Sequence, residues 1–280
     1  MKRDGYFFRM SPLQILLPAI LCVLTVSLHA TSYVWTGSVD TQWGEPNNWS
    51  PAGIPDIGDD VTITNQTNDP VFEEISGLNN FTMTSGSLDL SAFTLVIYGT
   101  ASFDGGSITN GNIAFVSGSV CTFAGTTLSC GISGTMLNVY FNGGTFNNPV
   151  SITRTSATDN TSNGGNTYNS TFSLTNTGTG NVILSNVSAD TYKSDATFSA
   201  SNTGLIQVSY TASGNSFQGG LLFNSTGTSL GIRLGQNGGT STLSSGNVLG
   251  IGGSGFSVGD LRIKGLTQSG TTAQSLTLTG

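Results

Sequence analysis

The segment NTYNSTFSLT, residues 166–175, recurs three more times in this chain with the same order of aromatic and apolar residues. The other copies are GTFNNPVSIT at 144–153, DTYKSDATFS at 190–199 and NSFQGGLLFN at 215–224. An aromatic residue stands third in every copy, with successive spacings of 22, 24 and 25. The aromatics are Phe146, Tyr168, Tyr192 and Phe217, followed four positions later by Val150, Phe172, Ala196 and Leu221 and six positions later by Ile152, Leu174, Phe198 and Phe223.

A repeat of about 20 to 25 residues, with short strands, glycine or asparagine corners and no helical period, is typical of a strand solenoid. We therefore predict an all-β chain folded as a right-handed parallel β-helix (β-solenoid). Each coil would stack its apolar positions on those of the next coil, so that the four aromatics form one core stack. The alternative is an antiparallel β-sandwich, which also uses short alternating strands but does not need a coil-length repeat.

The aromatic spacing continues towards the N-terminus. Phe81, Phe103 and Phe123 follow each other at intervals of 22 and 20, and the next interval, to Phe146, is 23. This predicts that they belong to the same column, in a ladder of about nine or ten coils after Asp60 that lie ~4.8 Å apart. Glycine and asparagine are expected at the corners because they tolerate a positive φ.

The tryptophans of the chain are concentrated near its N-terminus. They are Trp35, Trp43 and Trp49. They precede the start of the first strand at Asp60, where a solenoid needs a cover over its first coil. We predict a Trp-rich structural cap at 31–60, followed by parallel β-helix repeats at 61–280 that continue in a longer polypeptide. The alternative function for these rings is glycan binding, because an exposed indole face packs well on a sugar ring.

Residues 1–30 are predicted to be a signal peptide. The basic residues Lys2, Arg3 and Arg9 precede a mostly apolar run at 13–28, and Ala30 offers a small residue for cleavage. A membrane anchor is the competing interpretation, but Pro18 interrupts a run that needs roughly 18 apolar residues to span a bilayer. We expect a secreted or bacterial cell-surface protein with no stable membrane span after cleavage.

Removal of this leader takes away three of the eight basic residues and one of the fifteen acidic residues, which leaves a formal charge of −9. Such a surface repels phosphate backbones, so nucleic-acid binding is disfavoured. The single histidine, His29, lies in the leader, and the mature chain therefore lacks the residue for a histidine triad or the usual zinc sites. We nominate no catalytic, cofactor-binding or metal-binding residue.

Acidic residues cluster at 40–74, where carboxylates can bind calcium or act on a glycosidic bond. Their spacing matches neither kind of site, and we expect solvated side chains, with Asp59 or Asp60 fixing a turn. In the repeats the best acid pair is Asp190 and Asp195. Asp190, however, stands where two other copies have asparagine, which indicates a corner residue.

Threonine-rich strands such as VTIT at 61–64 and FTMT at 81–84 raise a further function, ice binding through threonine ladders. That function needs a flat and regular face. The unequal spacings of the aromatics predict an irregular face and argue against it.

Two cysteines remain after the leader, Cys121 and Cys130, close together in the sequence. In an oxidising compartment such a pair can form a disulfide. Two buried free thiols are the equal alternative, since free cysteine is often buried.

A tryptophan pattern at 33–63 carries a resemblance to a known family. It reads W-x-G from Trp35, a second Trp, then NWSP at 48–51, G-x-P at 53–55 and DDVTI at 59–63. This resembles the opening module of exported, cell-surface β-helical repeat proteins of the Bacteroidota, many of them adhesin-like and secreted by the type IX route.

The resemblance implies the N-terminal portion of a larger secreted or surface-displayed structural or adhesion protein, with glycans or cell-surface ligands as partners. β-Helices also host polysaccharide lyases and glycoside hydrolases, so a carbohydrate-active enzyme is the alternative. A groove with converging carboxylates would favour the enzyme, and a groove lined with Ser, Thr and Asn would favour adhesion.

Overall fold

The computed structural model describes residues 30–74, 76–273 and 275–278. The predicted signal peptide at 1–30 therefore lies outside the described residues, apart from Ala30. Across the described ranges, no helix has the length and apolar character needed to cross a bilayer.

Short strands dominate the regular structure of the described residues, together with one 3-10 turn at Pro46–Asn48. The strands of the first half are β1 (Ser32–Trp35), β2 (Trp49–Ser50), β3 (Asp60–Ile63), β4 (Ser76–Leu78), β5 (Asn80–Met83), β6 (Ser87–Asp89), β7 (Thr94–Ile97), β8 (Thr100–Phe103), β9 (Ser107–Phe115), β10 (Val120–Phe123), β11 (Thr127–Met136) and β12 (Asn138–Phe141). The strands of the second half are β13 (Thr145–Phe146), β14 (Val150–Arg154), β15 (Asn160–Thr161), β16 (Thr167–Tyr168), β17 (Phe172–Asn176), β18 (Val182–Ile183), β19 (Thr191–Tyr192), β20 (Ala196–Ala200), β21 (Ile206–Val208), β22 (Asn215–Phe217), β23 (Leu221–Ser225), β24 (Gly231–Leu234), β25 (Ser241–Leu243), β26 (Val248–Phe256), β27 (Asp260–Ile263), β28 (Leu266–Gln268) and β29 (Ser275–Leu278).

The alternation of the sequence decides which side chains point inward. In β17 the side chains of Phe172, Leu174 and Asn176 are buried, whereas Ser173 and Thr175 are partly exposed. This is the period of two that a strand imposes on its side chains. The inward residues of successive coils meet in one continuous apolar core.

The strands form three faces that run along the molecule. Face 1 contains β1 to β3, β5, β8, β10 and β12, followed by β15, β18, β21, β24 and β27. Face 2 contains β6, the first halves of β9 and β11, and then β13, β16, β19, β22, β25 and β28. Face 3 contains β4, β7, the second halves of β9 and β11, and then β14, β17, β20, β23, β26 and β29.

Strands of one face pair in parallel, and among the described strands only β1 and β2 pair antiparallel. The chain therefore makes about nine turns of a parallel β-solenoid. The predicted fold is confirmed, and the antiparallel sandwich is wrong.

The repeat alignment corresponds to the register of the sheets. On face 2, Phe146 pairs with Tyr168, Tyr168 with Tyr192, and Tyr192 with Phe217. The rings of these neighbours are nearly parallel, with centroids 4.9, 4.8 and 4.8 Å apart. On face 3 the positions four and six residues later form the columns Val150, Phe172, Ala196, Leu221 and Ile152, Leu174, Phe198, Phe223.

The predicted column from Phe81 through Phe123 to Phe146 is wrong. Phe123 lies on face 1, where its partners are Phe103 and Phe141. Phe146 lies on face 2. The step from Phe123 to Phe146 therefore crosses from one face to the next, and a spacing close to the coil length cannot reveal that crossing.

From the coil of Leu128 to the coil of Phe217 the coils become longer, but the three corners do not share the increase. In each coil we count the residues from the inward aromatic or leucine position of face 2 to the first inward position of face 3. This number is four in five successive coils, from the coil of Leu128 to the coil of Phe217. The step from face 3 to face 1 grows from seven residues after Ile132 to eleven after Leu221. Faces 2 and 3 are thus the regular part of the molecule.

The tryptophans form one cluster at the N-terminal end. The rings of Trp35 and Trp43 meet Trp49 edge-on, with centroid distances of 4.8 and 4.6 Å. All three side chains are at most 3% exposed. Trp35 Nε1 donates to Asn68 O at 2.7 Å, and Trp49 Nε1 donates to Trp43 O at 2.8 Å. A Trp-rich cap is therefore present over the first coil.

The coil at the other end of the described chain is open. Leu276 and Leu278 continue the inward columns of Leu249 and Ile251. They are 61% and 66% exposed, since the described residues place no further strand over them.

Candidate functional site

A column of hydroxyl side chains runs along the outside of face 2. Every position is in register with the next, and we call the set the hydroxyl column: Ser87, Ser107, Thr127, Thr145, Thr167, Thr191, Ser216, Thr242 and Thr267. Each residue directly precedes an inward position of face 2 and so points outward. At ~4.8 Å per strand the column is about 40 Å long.

Most hydroxyls of the column have no protein partner. Within the described ranges no side-chain hydrogen bond is made by Ser107, Thr127, Thr145, Thr167, Thr191 and Thr242. In contrast, Ser87 Oγ donates to Asp69 Oδ2 at 2.8 Å and Thr267 Oγ1 donates to Ser241 O at 3.3 Å. The six unpaired hydroxyls can both donate to and accept from a bound molecule.

A second outward column stands two residues later in each coil. From β6 to β25 it contains Asp89, Thr109, Ser129, Asn147, Asn169, Lys193, Gln218 and Ser244. From Ser107 to Thr267 neither column contains a carboxylate. From Ser107 onward the two columns therefore present neutral donors and acceptors, with Lys193 as their one charge, whereas Asp89 adds a carboxylate in the first coil of face 2.

The expectation of an irregular outer face is wrong for face 2. Coil lengths do vary, but from the coil of Leu128 to the coil of Phe217 the extra residues lie at the two corners that border face 1. The four-residue step between faces 2 and 3 keeps Thr127, Thr145, Thr167 and Thr191 in register. A variable repeat length thus coexists with a regular hydroxyl column.

Two shallow cavities border this surface at the corner between faces 2 and 3. One has a volume of about 340 Å³ and is lined by Asp195, Gly220, Leu222, Gly246, Asn247 and Val248. The other has a volume of about 220 Å³ and is lined by Asn112, Gly131, Ile132, Ser133, Pro149 and Ser151. Both lie beside the hydroxyl column, and only Asp195 contributes a charge.

A buried ladder of amides lies at the corner between faces 1 and 2. Asp190 Oδ1 accepts from the backbone N and the Nδ2 of Asn166, both at 2.8 Å, and Asp190 Oδ2 accepts from Ser185 Oγ at 2.6 Å. Asp190 N donates to Asn215 Oδ1 at 2.8 Å. Burial raises the pKa of Asp190 above its ordinary value, and the hydrogen bonds from Ser185 and Asn166 oppose that rise. At 1% exposure this carboxyl is a corner group beyond the reach of a substrate.

Asparagine occurs at the corners for a reason other than the predicted positive φ. Among the described asparagines only Asn110 has a positive φ. Asn166 and Asn215 are buried and serve as hydrogen-bonding rungs between coils. The positive-φ corners are mostly glycines, as at Gly125 and Gly143.

Arg154 is likewise structural. Its side chain is fully buried, and it donates to Asn138 Oδ1 from Nε and Nη2 and to Asn176 Oδ1 from Nη1, all at 3.1 Å. It also donates to the backbone oxygens of Gly180 and Thr158. Burial lowers the pKa of Arg154. The guanidinium fastens two corner loops and is not available to a ligand.

Both cysteines are buried free thiols in the structure, the second of the two alternatives that the sequence left open. Cys121 lies on face 1, whereas Cys130 lies at the bulge of β11 where the chain passes from face 2 to face 3. The two side chains therefore enter the core from different walls of the coil. Burial raises the pKa of the Cys130 thiol to about 12 and that of Cys121 well above its ordinary value, which makes both thiols unreactive.

Asp59 and Asp60 accept hydrogen bonds, both from a local turn and from neighbouring coils. Asp59 Oδ1 accepts from Thr31 N and its Oδ2 accepts from Asp56 N, while Asp60 Oδ1 accepts from Asn80 N and Nδ2. The part of the chain that the structure describes has no group of three or more His, Cys, Asp or Glu residues able to hold a metal ion.

A cavity that the sequence did not predict lies beside the cap, and we call it the cap cavity. Its volume is about 240 Å³, and it is lined by Trp43, Ile54, Pro55, Asp56, Glu74, Ser76 and Gly77. The cap loop supplies the first four residues, Glu74 precedes β4, and β4 supplies Ser76 and Gly77. Trp43 and the G-x-P at 53–55 belong to the tryptophan pattern of the sequence, but that pattern does not predict a cavity, and Asp56 and Glu74 were expected to be solvated.

The match found by comparison with known protein families covers only the N-terminal part of the chain. The family model of a domain of unknown function (DUF8693) matches residues 34–102, less than half of the chain. The match includes the cap, the cap cavity and the first coils, and it brings no activity with it. No curated protein and no solved structure matches the chain.

Proposed function

We propose that this chain is the N-terminal portion of an exported, surface-displayed adhesion protein whose solenoid binds an extended neutral glycan along face 2. The observation that supports this most directly is the hydroxyl column, with six hydroxyls that have no protein partner among the described residues. A polysaccharide that lies along the solenoid axis advances by about one coil per sugar, so the same contact can recur sugar after sugar. Export rests on the predicted leader and on the resemblance to Bacteroidota surface proteins.

Many weak contacts would supply the affinity. A single hydrogen bond contributes only ~0.5–1.5 kcal/mol net, because the partners give up water to make it. Contacts repeated on one polymer chain act together, since the first contact holds the next sugars near the next coils. Binding should therefore strengthen with the length of the oligosaccharide. The negative charge of the mature chain favours neutral over polyanionic glycans.

The test compares two fourfold variants in retention on insoluble neutral polysaccharides such as cellulose and chitin. The first variant replaces the hydroxyl column residues Thr127, Thr145, Thr167 and Thr191 by valine. The matched control replaces the outward threonines of face 3, Thr135, Thr153, Thr175 and Thr197, by valine. Valine keeps the shape and the strand preference of threonine but removes its hydroxyl.

We expect the face 2 variant to lose at least tenfold in retention and the face 3 control to behave like the parent chain. Equal retention of both variants, or no binding to any neutral glycan in the panel, would contradict the proposal. Release of shortened products during incubation would favour the carbohydrate-active enzyme. Thermal hysteresis of freezing in place of glycan retention would assign the hydroxyl column to ice.

A further inference from the structure

We propose that the C-terminal part of face 1 carries a binding site for a phosphate monoester. Four residues build it, and we call them the basic patch: Gln207, Arg233, Arg262 and Lys264. Gln207 lies on β21, Arg233 on β24 and Arg262 on β27, and Lys264 directly follows β27. The hydroxyl column lies on face 2, so this inference goes beyond the glycan adhesion proposed above and does not depend on it.

The charges of the chain are unevenly distributed along its length. Residues 31–195 contain two basic and thirteen acidic residues, a formal charge of −11. Residues 196–280 contain three basic residues, all of them in the basic patch, and a single acid, Asp260, which gives a formal charge of +2. This segment therefore attracts an anion, although the mature chain as a whole repels an extended polyanion.

The register of face 1 brings the basic patch together on the outside of the solenoid. Gln207 pairs with Arg233, and Arg233 pairs with Arg262, so the three residues stand on successive strands ~4.8 Å apart. Lys264 N donates to Leu234 O at 3.0 Å, which places Lys264 beside β24. The residues on either side of Gln207 and Arg233 are buried in the core, namely Ile206, Val208, Ile232 and Leu234. Alternation along a strand therefore points Gln207 and Arg233 outward.

Arg233 has no counterion among the described residues. Its Nε is enclosed without an acceptor, and its partly exposed side chain makes no hydrogen bond or ion pair to the described part of the chain. The Nη groups, which lie further out than Nε, are the donors that a ligand can reach. In contrast, Arg262 Nη2 donates to Asp260 Oδ2 at 2.8 Å. Like charges in register on neighbouring strands are unfavourable, and an anion between Arg233 and Arg262 would offset their repulsion.

Gln207 gives a second and independent indication of a ligand. The residue is only 7% exposed, yet its side chain makes no hydrogen bond within the described ranges. Its amide nevertheless keeps accessible surface, unlike the enclosed Nε of Arg233. An amide without a partner at such low exposure is unfavourable, and its N–H can donate to an oxyanion that Arg233 holds.

Charge and donor number favour a phosphate monoester over other acids. The three basic residues and Asp260 together carry +2, and a phosphate monoester carries about −1.5 to −2 at pH 7. A carboxylate or a sulfate ester carries only a single negative charge. The three terminal oxygens of the phosphate can accept from Gln207, Arg233 and Arg262 at once, and the guanidinium group suits such bidentate contacts.

The experiment titrates the chain without its leader with glucose 6-phosphate in a calorimeter. We expect saturable binding, at least fivefold weaker binding of glucose 6-sulfate and of glucuronate, and no heat of binding from glucose at the same concentrations. Inorganic phosphate distinguishes the source of the group. Equal affinity for inorganic phosphate would identify the phosphate group alone as the ligand, and weaker affinity would identify a sugar phosphate.

Matched variants separate the basic patch from general charge. Arg233→Gln should weaken glucose 6-phosphate binding at least tenfold, because it removes a charged donor. Lys193→Gln removes the same charge from an exposed residue on face 2 and should leave this affinity unchanged. Gln207→Met keeps the length of the side chain without its amide and should weaken binding by a smaller factor. Lys264→Gln, at an exposed residue that folding does not require, should weaken binding at least threefold.

Several results would overturn the inference. They are the absence of saturable glucose 6-phosphate binding, equal effects of Arg233→Gln and Lys193→Gln, and an affinity for glucose 6-sulfate or glucuronate that equals the affinity for glucose 6-phosphate. The face 2 variant that tests polysaccharide retention leaves the basic patch intact and should bind glucose 6-phosphate like the parent chain. The two proposals therefore fail separately.

Discussion

Asp190 is the ionisable member of a ladder whose neighbouring rungs, Asn166 and Asn215, are asparagines. Burial raises its pKa in the folded chain. A group with a raised folded pKa contributes its full stability below its unfolded pKa, about 4, and loses that contribution as the pH rises through the folded value. The groups that face it include the phenols of Tyr168 and Tyr192, which are neutral in that range.

We therefore expect Asp190→Asn to be more stable than the parent chain at pH 7 and to lack this part of the pH dependence. Urea unfolding of both proteins between pH 3 and pH 8 measures the difference. Asp195→Asn is the control, because Asp195 is an exposed corner residue that accepts from Gly220 N at 2.7 Å. Parallel stability curves for the parent chain and Asp190→Asn would refute the expectation.

Replacement of Trp35 tests whether a single buried ring of the cap stabilises the fold. Its side chain is fully buried, so Trp35→Ala should lower the free energy of unfolding by roughly 3–5 kcal/mol. Val39→Ala, in the same segment but at a residue 55% exposed, should change it by less than about 0.5 kcal/mol. An unchanged melting temperature together with lost glycan binding would show instead that this tryptophan belongs to a binding surface.

At the scale of elements, the aromatic stack holds successive coils together. Tyr168 and Tyr192 lie 4.8 Å apart with their rings 10° from parallel. A double-mutant cycle with leucine at both positions should give a coupling of about 0.5–1.5 kcal/mol beyond the lost area. The pair Tyr168 and Phe223, two coils apart, should be additive within ~0.5 kcal/mol. Equal coupling in the two cycles would contradict a direct ring contact.

The register of faces 2 and 3 could be predicted from the sequence because their copies are joined by a constant four-residue step. The register of face 1 could not be predicted, because the columns of face 1 repeat with the same coil length as those of face 2. The spacing alone therefore assigned Phe146 to the column of Phe123. The predicted conformation of the corner asparagines was also wrong, because asparagine occurs both in positive-φ turns and in hydrogen-bonded rungs between coils. Asn166 forms such a rung.

The hydroxyl column and the cap cavity differ in how far the sequence reveals them. The hydroxyl column could be predicted from the sequence, because a threonine or serine directly precedes the aromatic residue in all four copies of the repeat, as in Thr167 and Ser216. The cap cavity could not be predicted, because Trp43, Asp56 and Glu74 come from separate loops and their proximity depends on how the cap sits on the first coil.

At the scale of the whole molecule, the two ends of the described solenoid differ. The Trp cap covers the first coil, while the coil of β27 to β29 has exposed inward leucines. A solenoid opens coil by coil, since each coil contacts only its neighbours. Amide hydrogen exchange should therefore be slowest in β5 to β22 and fastest in β27 to β29. Uniform protection along the chain would contradict this gradient, and Trp35→Ala should accelerate exchange in β3 but not in β25.

The variable length of the corner loops beside face 1 suggests that these loops tolerate inserted peptides. In the coils from Leu128 to Phe217 the extra residues lie at the corners beside face 1, so loops at those corners can accept foreign peptides without moving the strands of faces 2 and 3. Val187, 67% exposed at such a corner, marks a graft point. A short epitope inserted there should leave polysaccharide retention unchanged while an antibody recognises it, and such a graft would turn the solenoid into a display scaffold.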